Sequence, residues 1–217
     1  YLFRGTTFLL IATAIGSFAR TSLVSLCVLF LLYFIYSVGK RTKIVLACLI
    51  GGAILLNTVP DSWKERMRTI ETHQQDASAS SRISVWLWTL DFAEENPYGG
   101  GFGSYRANSI SVLGQIEKGR AYHSIYFEVL GEHGYLGVGI FLMIYLLSLK
   151  RARSLYLTTR NNPDEEWFPE LSKAIFLALS MFMVGGAFIG IAFQPFGYFF
   201  VAMVLCIGNF YDRSISL

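Results

Sequence analysis

Charge is what this chain has least of. Asp, Glu, Lys and Arg make up 15% of its 217 residues, where a soluble domain carries about a quarter. The shortage is uneven, because long apolar runs alternate with small charged clusters. That pattern excludes an ordinary soluble enzyme and points to a polytopic membrane protein. Cysteine is scarce too. Cys27, Cys48 and Cys206 all lie inside apolar runs, with neither metal-ligand nor disulfide spacing, and read as small buried hydrophobes. The chain has no initiator Met and no signal peptide, and it enters an apolar run soon after Tyr1. It is expected to be a piece of a longer membrane protein. The net charge of +3 is small, and no nucleic-acid partner is expected.

A bilayer core of about 30 Å takes roughly 20 helical residues. On that measure the chain holds about six spans, near Thr6–Ser17, Thr21–Gly39, Ile44–Val59, Ile125–Leu149, Ala174–Ala192 and Phe196–Phe210. The expected fold is an all-α helical bundle. Residues 1–59 form three spans, 60–122 a large outward loop with short helices, and 123–217 three more spans with a cytoplasmic loop and tail. Lys and Arg in short loops stay on the cytoplasmic side. "KRTK" (Lys40 to Lys43) and "KRAR" (Lys150 to Arg153) are separated by two spans, so they share a side. The loop from Pro60 to Tyr122 then faces outward, as do "GSFARTS" around Arg20 and the turn "FQPFG" (Phe193 to Gly197). Hydropathy alone leaves Arg20 as either a functional charge or an interfacial one.

The outward loop has internal punctuation. "PDSWKERM" offers Ser62 and Glu65 as a capping box for a short helix over about Trp63 to Thr72. "HQQDASASS" (His73 to Ser81) is small and polar, a mobile link. "SRISVWLWTLDFAEENP" places Ile83, Trp86, Leu87, Leu90 and Ala93 on one helical face, for an amphipathic helix on the membrane surface or the span bundle. Arg82 stands at its start. "NPYGGGFGSY" has four glycines in the five positions from Gly99 to Gly103. It is either a phosphate-cradling nest or a plain turn. With no preceding strand and no GK[ST] it is not a nucleotide P-loop. Arg106 to Tyr122 reads as loop and leads to His123.

Taken together, "SRISVWLWTLDFAEENPYGGGFGSY" and "HSIYFEVLGEHGYLGVGIF" resemble the O-antigen ligase and polymerase family. The family's pattern is an Arg and a Trp on a loop helix, an Asn-Pro leading into glycines, and a His opening a span with Glu-x-Gly-x-x-Gly. That last element is Glu132 to Gly137 here. "FARTSLVSL" is similar to the family's Ser-Arg-Gly element, with Ala19 and Thr21 replacing Ser and Gly. The resemblance covers nearly the whole chain, as the C-terminal half of such a protein, and is nearest in flavour to the O-glycosylation ligases that accompany exosortase systems.

The resemblance implies a GT-C-like glycosyltransferase of the bacterial inner membrane. It would take a glycan from undecaprenyl pyrophosphate at the periplasmic face, with no metal and no other cofactor. The acceptor would be a hydroxyl of lipid A core, protein or another glycan. Arg20, Arg82 and His123 are the matching functional positions. Arginine suits a pyrophosphate because its fork binds phosphate bidentately and stays charged. A neutral imidazole can take the acceptor's proton, at roughly 10²–10⁴-fold in rate. His123 is thus either a general base, a donor ligand or a structural interfacial residue. Glu128 and Glu132 lie four apart on one helix face, placed to support His123, to pair with Arg20, or simply to stand in water. A polymerase would differ only in acceptor. A transporter or flippase, the rival of another class, would put its polar groups at mid-membrane.

Overall fold

The computed structural model describes residues 13, 16, 20–36, 39, 42, 45, 46, 49, 52, 77–161 and 167–214. The expected first and third spans and the Trp63–Thr72 helix fall almost wholly outside these residues, as does His73. The chain divides into two compact units, residues 1–80 and 81–217. In the first, helix α1 (Arg20–Tyr36) is apolar throughout beyond its opening residues, with Leu26 as its buried position.

Helix α2 (Ala77–Glu95), all but its first four residues in the second unit, is followed by a glycine loop and a single 3-10 turn over Ser104–Ala107. Residues 77–81, expected as part of the mobile link, are instead the first turns of α2. An antiparallel hairpin follows, β1 (Ser109–Val112) and β2 (Gln115–Lys118), with Ile110 opposite Glu117. The expectation of plain loop over Arg106 to Tyr122 is corrected here. Leu113 and Gly114 have φ of 49° and 83°, and positive φ at both centres of a two-residue loop suits the right-handed twist of a hairpin. The alternation that marks β1 is short, only Ile110 and Val112 inward, and is easily missed.

Three long helices complete the unit: α3 (Ile125–Thr159), α4 (Trp167–Gly186) and α5 (Pro195–Ser214). They are the three described helices long and apolar enough to cross a membrane. They match the last three expected spans, and the protein is an all-α membrane protein as its composition implies. α3 runs ten residues past the expected end at Leu149, so the Lys150–Arg153 cluster lies on helix rather than in a loop. α3 also breaks: Gly134 has φ 64° and ψ −164°, so Ile125–His133 forms a separate opening segment. The part after the break, about 37 Å at 1.5 Å per residue, is long enough for the roughly 30 Å hydrocarbon core.

The core lies among α3, α4 and α5. Tyr145, Phe182 and Leu179 are buried there, with the Tyr145 and Phe182 rings stacked at 5.2 Å. Close approach is possible because glycine stands at the crossings. A Cβ on Gly197 would come within 2.3 Å of Tyr145 Oη, and one on Gly186 within 2.6 Å of the Ile125 side chain. The second contact matters most for the site, because it seats the first turn of α3 against the end of α4. Tyr126 Oη adds a hydrogen bond to Met183 O at 2.8 Å. Cys27 and Cys206 are exposed on their helices rather than buried. A lipid-facing position is as apolar as a core one, so hydropathy does not separate the two.

Candidate active site

α2 leaves most of the apolar face read from its sequence exposed, free for a membrane surface, and buries a different stripe. Ser81, Val85, Thr89 and Ala93, one narrow stripe at four-residue spacing, face inward, while Ile83, Leu87 and Leu90 are exposed. Small side chains let the hairpin and the loop approach closely, and the larger aliphatics remain outside. Val85 packs with Ile110, Val112 and Tyr122 in a small second core. Ser84 Oγ donates to Ser111 O at 3.1 Å, and Trp86 Nε1 donates to Tyr122 O at 2.8 Å. The Trp86 ring stacks on Phe127 at 5.1 Å. Residues on both sides of His123 are therefore tied to α2 one turn beyond Arg82.

His123 is held in a left-handed conformation, φ 51°, uncommon for a residue with a side chain. It sits just before Ser124, whose carbonyl accepts the first helical hydrogen bond of α3 from Glu128 N at 2.8 Å. His123 is exposed, yet crowding of its ring by protein, and then the positive charges of Arg82 and Arg120, hold its pKa below the ordinary 6.5. Both effects favour neutral imidazole, the form able to accept a proton. Next to it, burial pushes the Tyr122 phenol up to about 12, against the opposing effect of its hydrogen bond with Ser104.

The glycine loop and the break in α3 form one structure. At Gly134 the helix loses its normal ladder, and Tyr135 N donates to Pro97 O at 3.0 Å instead. The Gly131 carbonyl, whose helical donor Tyr135 N has turned away, accepts from Gly100 N, and the Glu132 carbonyl accepts from Gly101 N, each at 2.9 Å. Ser104 Oγ also donates to Gly131 O at 2.9 Å and accepts from Tyr122 Oη at 2.7 Å. Only glycine fits this junction. A Cβ on Gly99 would lie 2.5 Å from the Glu132 backbone, and one on Gly131 would lie 2.1 Å from Tyr122 Oη. The run "GGGFG" is thus a splice into α3. Its amides are spent on the protein, so the phosphate-nest alternative does not hold.

The two glutamates do different things. Glu132, 6% exposed, accepts from Gly103 N at 2.8 Å through Oε1, while Oε2 is buried without a hydrogen-bond partner among the described residues. Glu128 Oε2 accepts from Ala192 N at 2.9 Å. That bond lies in the turn between α4 and α5, which runs along the opening segment of α3. A Cβ on Gly190 would sit 3.5 Å from Glu128 Oε2 and 3.7 Å from His123 N. Phe193, further along, packs with Phe102 and His133 at 4.9 to 5.2 Å between ring centroids. His133 lies between these two aromatic rings.

Of the residues expected to act, Arg82 and His123 are linked by the effect of the Arg82 charge on the imidazole. Glu128 and Glu132 make hydrogen bonds to the backbone of Ala192 and Gly103. Arg20 is the first residue of α1 in the other unit. Sequence reasoning missed Arg120, the Ser104–Tyr122 pair and residues 187–194. Arg120 stands three residues before His123, and that proximity was the one available signal.

A family model described as O-antigen ligase matches residues 5–142, well over half of the chain, from before α1 to the middle of α3. No curated protein and no solved structure matches it. The match takes in the loop helix, the glycine splice, His123 and the broken span, so the chain belongs to the O-antigen ligase family, a family of membrane enzymes of glycosyl transfer.

Proposed function

We propose that the protein transfers a glycan from undecaprenyl pyrophosphate to a hydroxyl acceptor at the periplasmic face of the bacterial inner membrane. The loop over residues 60–122 carries the chemistry, between spans in 1–59 and 123–217. The acceptor oxygen attacks the anomeric carbon as the bond to the pyrophosphate oxygen breaks. The leaving pyrophosphate keeps the electron pair, the acceptor's proton passes to the His123 imidazole, and the anomeric centre inverts. Arg82 binds the pyrophosphate and stabilises the charge that grows on it, an effect that raises rate to the extent that it strengthens in the transition state. Arg20 is a second donor-binding cation. Glu128 and Glu132 support the site by holding the α4–α5 turn and the glycine loop.

One observation carries this reading: an exposed histidine, in an uncommon backbone conformation, is kept neutral beside arginines in a family of glycosyl-transfer enzymes. A neutral base flanked by fixed cations suits an alcohol nucleophile and an anionic leaving group. The test uses full-length protein in nanodiscs, a purified lipid-pyrophosphate glycan, and lipid A core, hydroxyl-bearing peptide and glycan as acceptors. His123→Ala and Arg82→Ala should each lose transfer by at least about a hundredfold. Native rates in both variants would refute the site. The acceptor consumed separates ligase from polymerase.

A further inference from the structure

The hairpin fixes a cation that the transfer reaction above does not use. Arg120 stands two residues past the end of β2 at Lys118 and precedes His123 by three. Its backbone is gripped on both sides by Asn108, a side chain only 1% exposed. Asn108 Oδ1 accepts from Arg120 N at 3.0 Å, and Asn108 Nδ2 donates to Arg120 O at 2.6 Å. Gly119 N donates to Asn108 O at 3.1 Å, closing the strand exit. A buried amide is thus spent on the main chain of one exposed residue.

The side chain is oriented as well. Arg120 Nε donates to Glu117 Oε2, which engages one of the five N–H groups of a guanidinium and leaves four. An exposed pair of this kind adds little to stability, and both partners are substantially solvent-accessible. Stability therefore does not account for the arrangement, whereas pre-organisation of a phosphate fork does. Location adds to this. The hairpin packs on α2 through Ile110, Val112 and Val85, and Trp86 ties the residue before His123 to the same helix. Arg82 and Arg120, on two different elements, both act on His123 through their charge.

We infer that Arg120 is a further donor-binding residue, its guanidinium taking one phosphate of the lipid-linked pyrophosphate while Arg82 takes the other. This rests on the transfer reading above. A pyrophosphate offers two phosphoryl groups to two forks, and a monophosphate offers one, so Arg120 also favours a pyrophosphate carrier over a monophosphate one.

The experiment measures binding of undecaprenyl pyrophosphate and undecaprenyl monophosphate to the full chain in nanodiscs, together with transfer kinetics. Arg120→Ala keeps every Asn108 bond, because those go to the backbone, so its melting temperature should equal that of wild type. Its affinity for the pyrophosphate carrier should fall, and its donor KM rise, by about tenfold or more, with a smaller change in kcat and in monophosphate binding. Arg120→Lys keeps charge without the fork and should recover part of the loss. Lys118→Ala, an exposed cation two residues away, should match wild type. If Arg82→Ala weakens pyrophosphate binding and Arg120→Ala does not, this inference fails alone. If neither variant changes binding, the transfer reading fails with it. An equal loss in Lys118→Ala, or a fall in kcat with donor KM unchanged, also overturns the role of Arg120.

Discussion

Replacing Gly134 with Ala tests whether the glycine loop and α3 act as one structure. Gly134 has φ 64° and ψ −164°, a region that essentially only glycine occupies, at a strain of about 1–3 kcal/mol for another residue. The new Cβ would also lie 2.0 Å from Pro97 O, so either the loop or the helix must move. If α3 straightens, Tyr135 N regains Gly131 O, and the loop loses three bonds, from Gly100 N, Gly101 N and to Pro97 O. At about 0.5–1.5 kcal/mol each, partly repaid by the restored helical bonds, loop docking should weaken by about 1–3 kcal/mol. With 1.4 kcal/mol per tenfold, the Gly100 and Gly101 amides should exchange with deuterium about one to two decades faster. The lower halves of α3 and α4 should keep their protection, because their packing does not involve the loop. Glycan transfer should drop in parallel, since Glu132 would lose Gly103 N and the path into His123 would loosen. Wild-type exchange at Gly100 and Gly101 together with a native transfer rate would refute the splice.

Three further outcomes follow from the site. The acid limb of kcat/KM should lie below pH 6.5, because His123 is neutral down to its lowered pKa. Arg82→Gln removes one of the charges that lower it, so the limb measured on residual activity should move up; an unmoved limb would deny His123 the role of base. Ser104→Ala leaves the Tyr122 hydroxyl without its 2.7 Å partner and should destabilise the loop by about 1–3 kcal/mol. Ser104→Ala with Tyr122→Phe should recover part of that, as read by thermal melting in detergent. In a background without Cys27, Cys48 and Cys206, Gln115→Cys at the hairpin tip should react with a membrane-impermeant maleimide added to intact spheroplasts. Protection of that position until lysis would reverse the orientation.

The parts read correctly from sequence are those governed by local rules. Runs near Ile125, Ala174 and Phe196 are too apolar and too long for water, so three membrane helices follow whatever their neighbours are. His123 was legible as the residue where a loop meets a span. The hairpin was not, because two inward residues in a four-residue strand give too short an alternation, and because Leu113 takes a left-handed turn position that favours other residues. The stripe that α2 buries against the loop was not legible for a related reason. Hydropathy ranks Leu87 above Thr89, but Thr89 donates to Val85 O at 2.7 Å, which satisfies its hydroxyl and lets a smaller side chain turn inward.

The glycines show the division most clearly. Sequence by itself determined that "GGGFG" permits unusual backbone, because that follows from the missing Cβ of each glycine. It also determined that Arg82, His123, Glu128 and Glu132 are charges or polar groups near a membrane boundary. Tertiary structure alone decided that the two glycine segments meet, that loop amides replace the helix's own donors at Gly131 and Glu132, and that Arg120 joins Arg82 beside His123. Those outcomes depend on contacts between residues some 30 to 40 positions apart along the chain, and no local propensity encodes which carbonyl an amide will find.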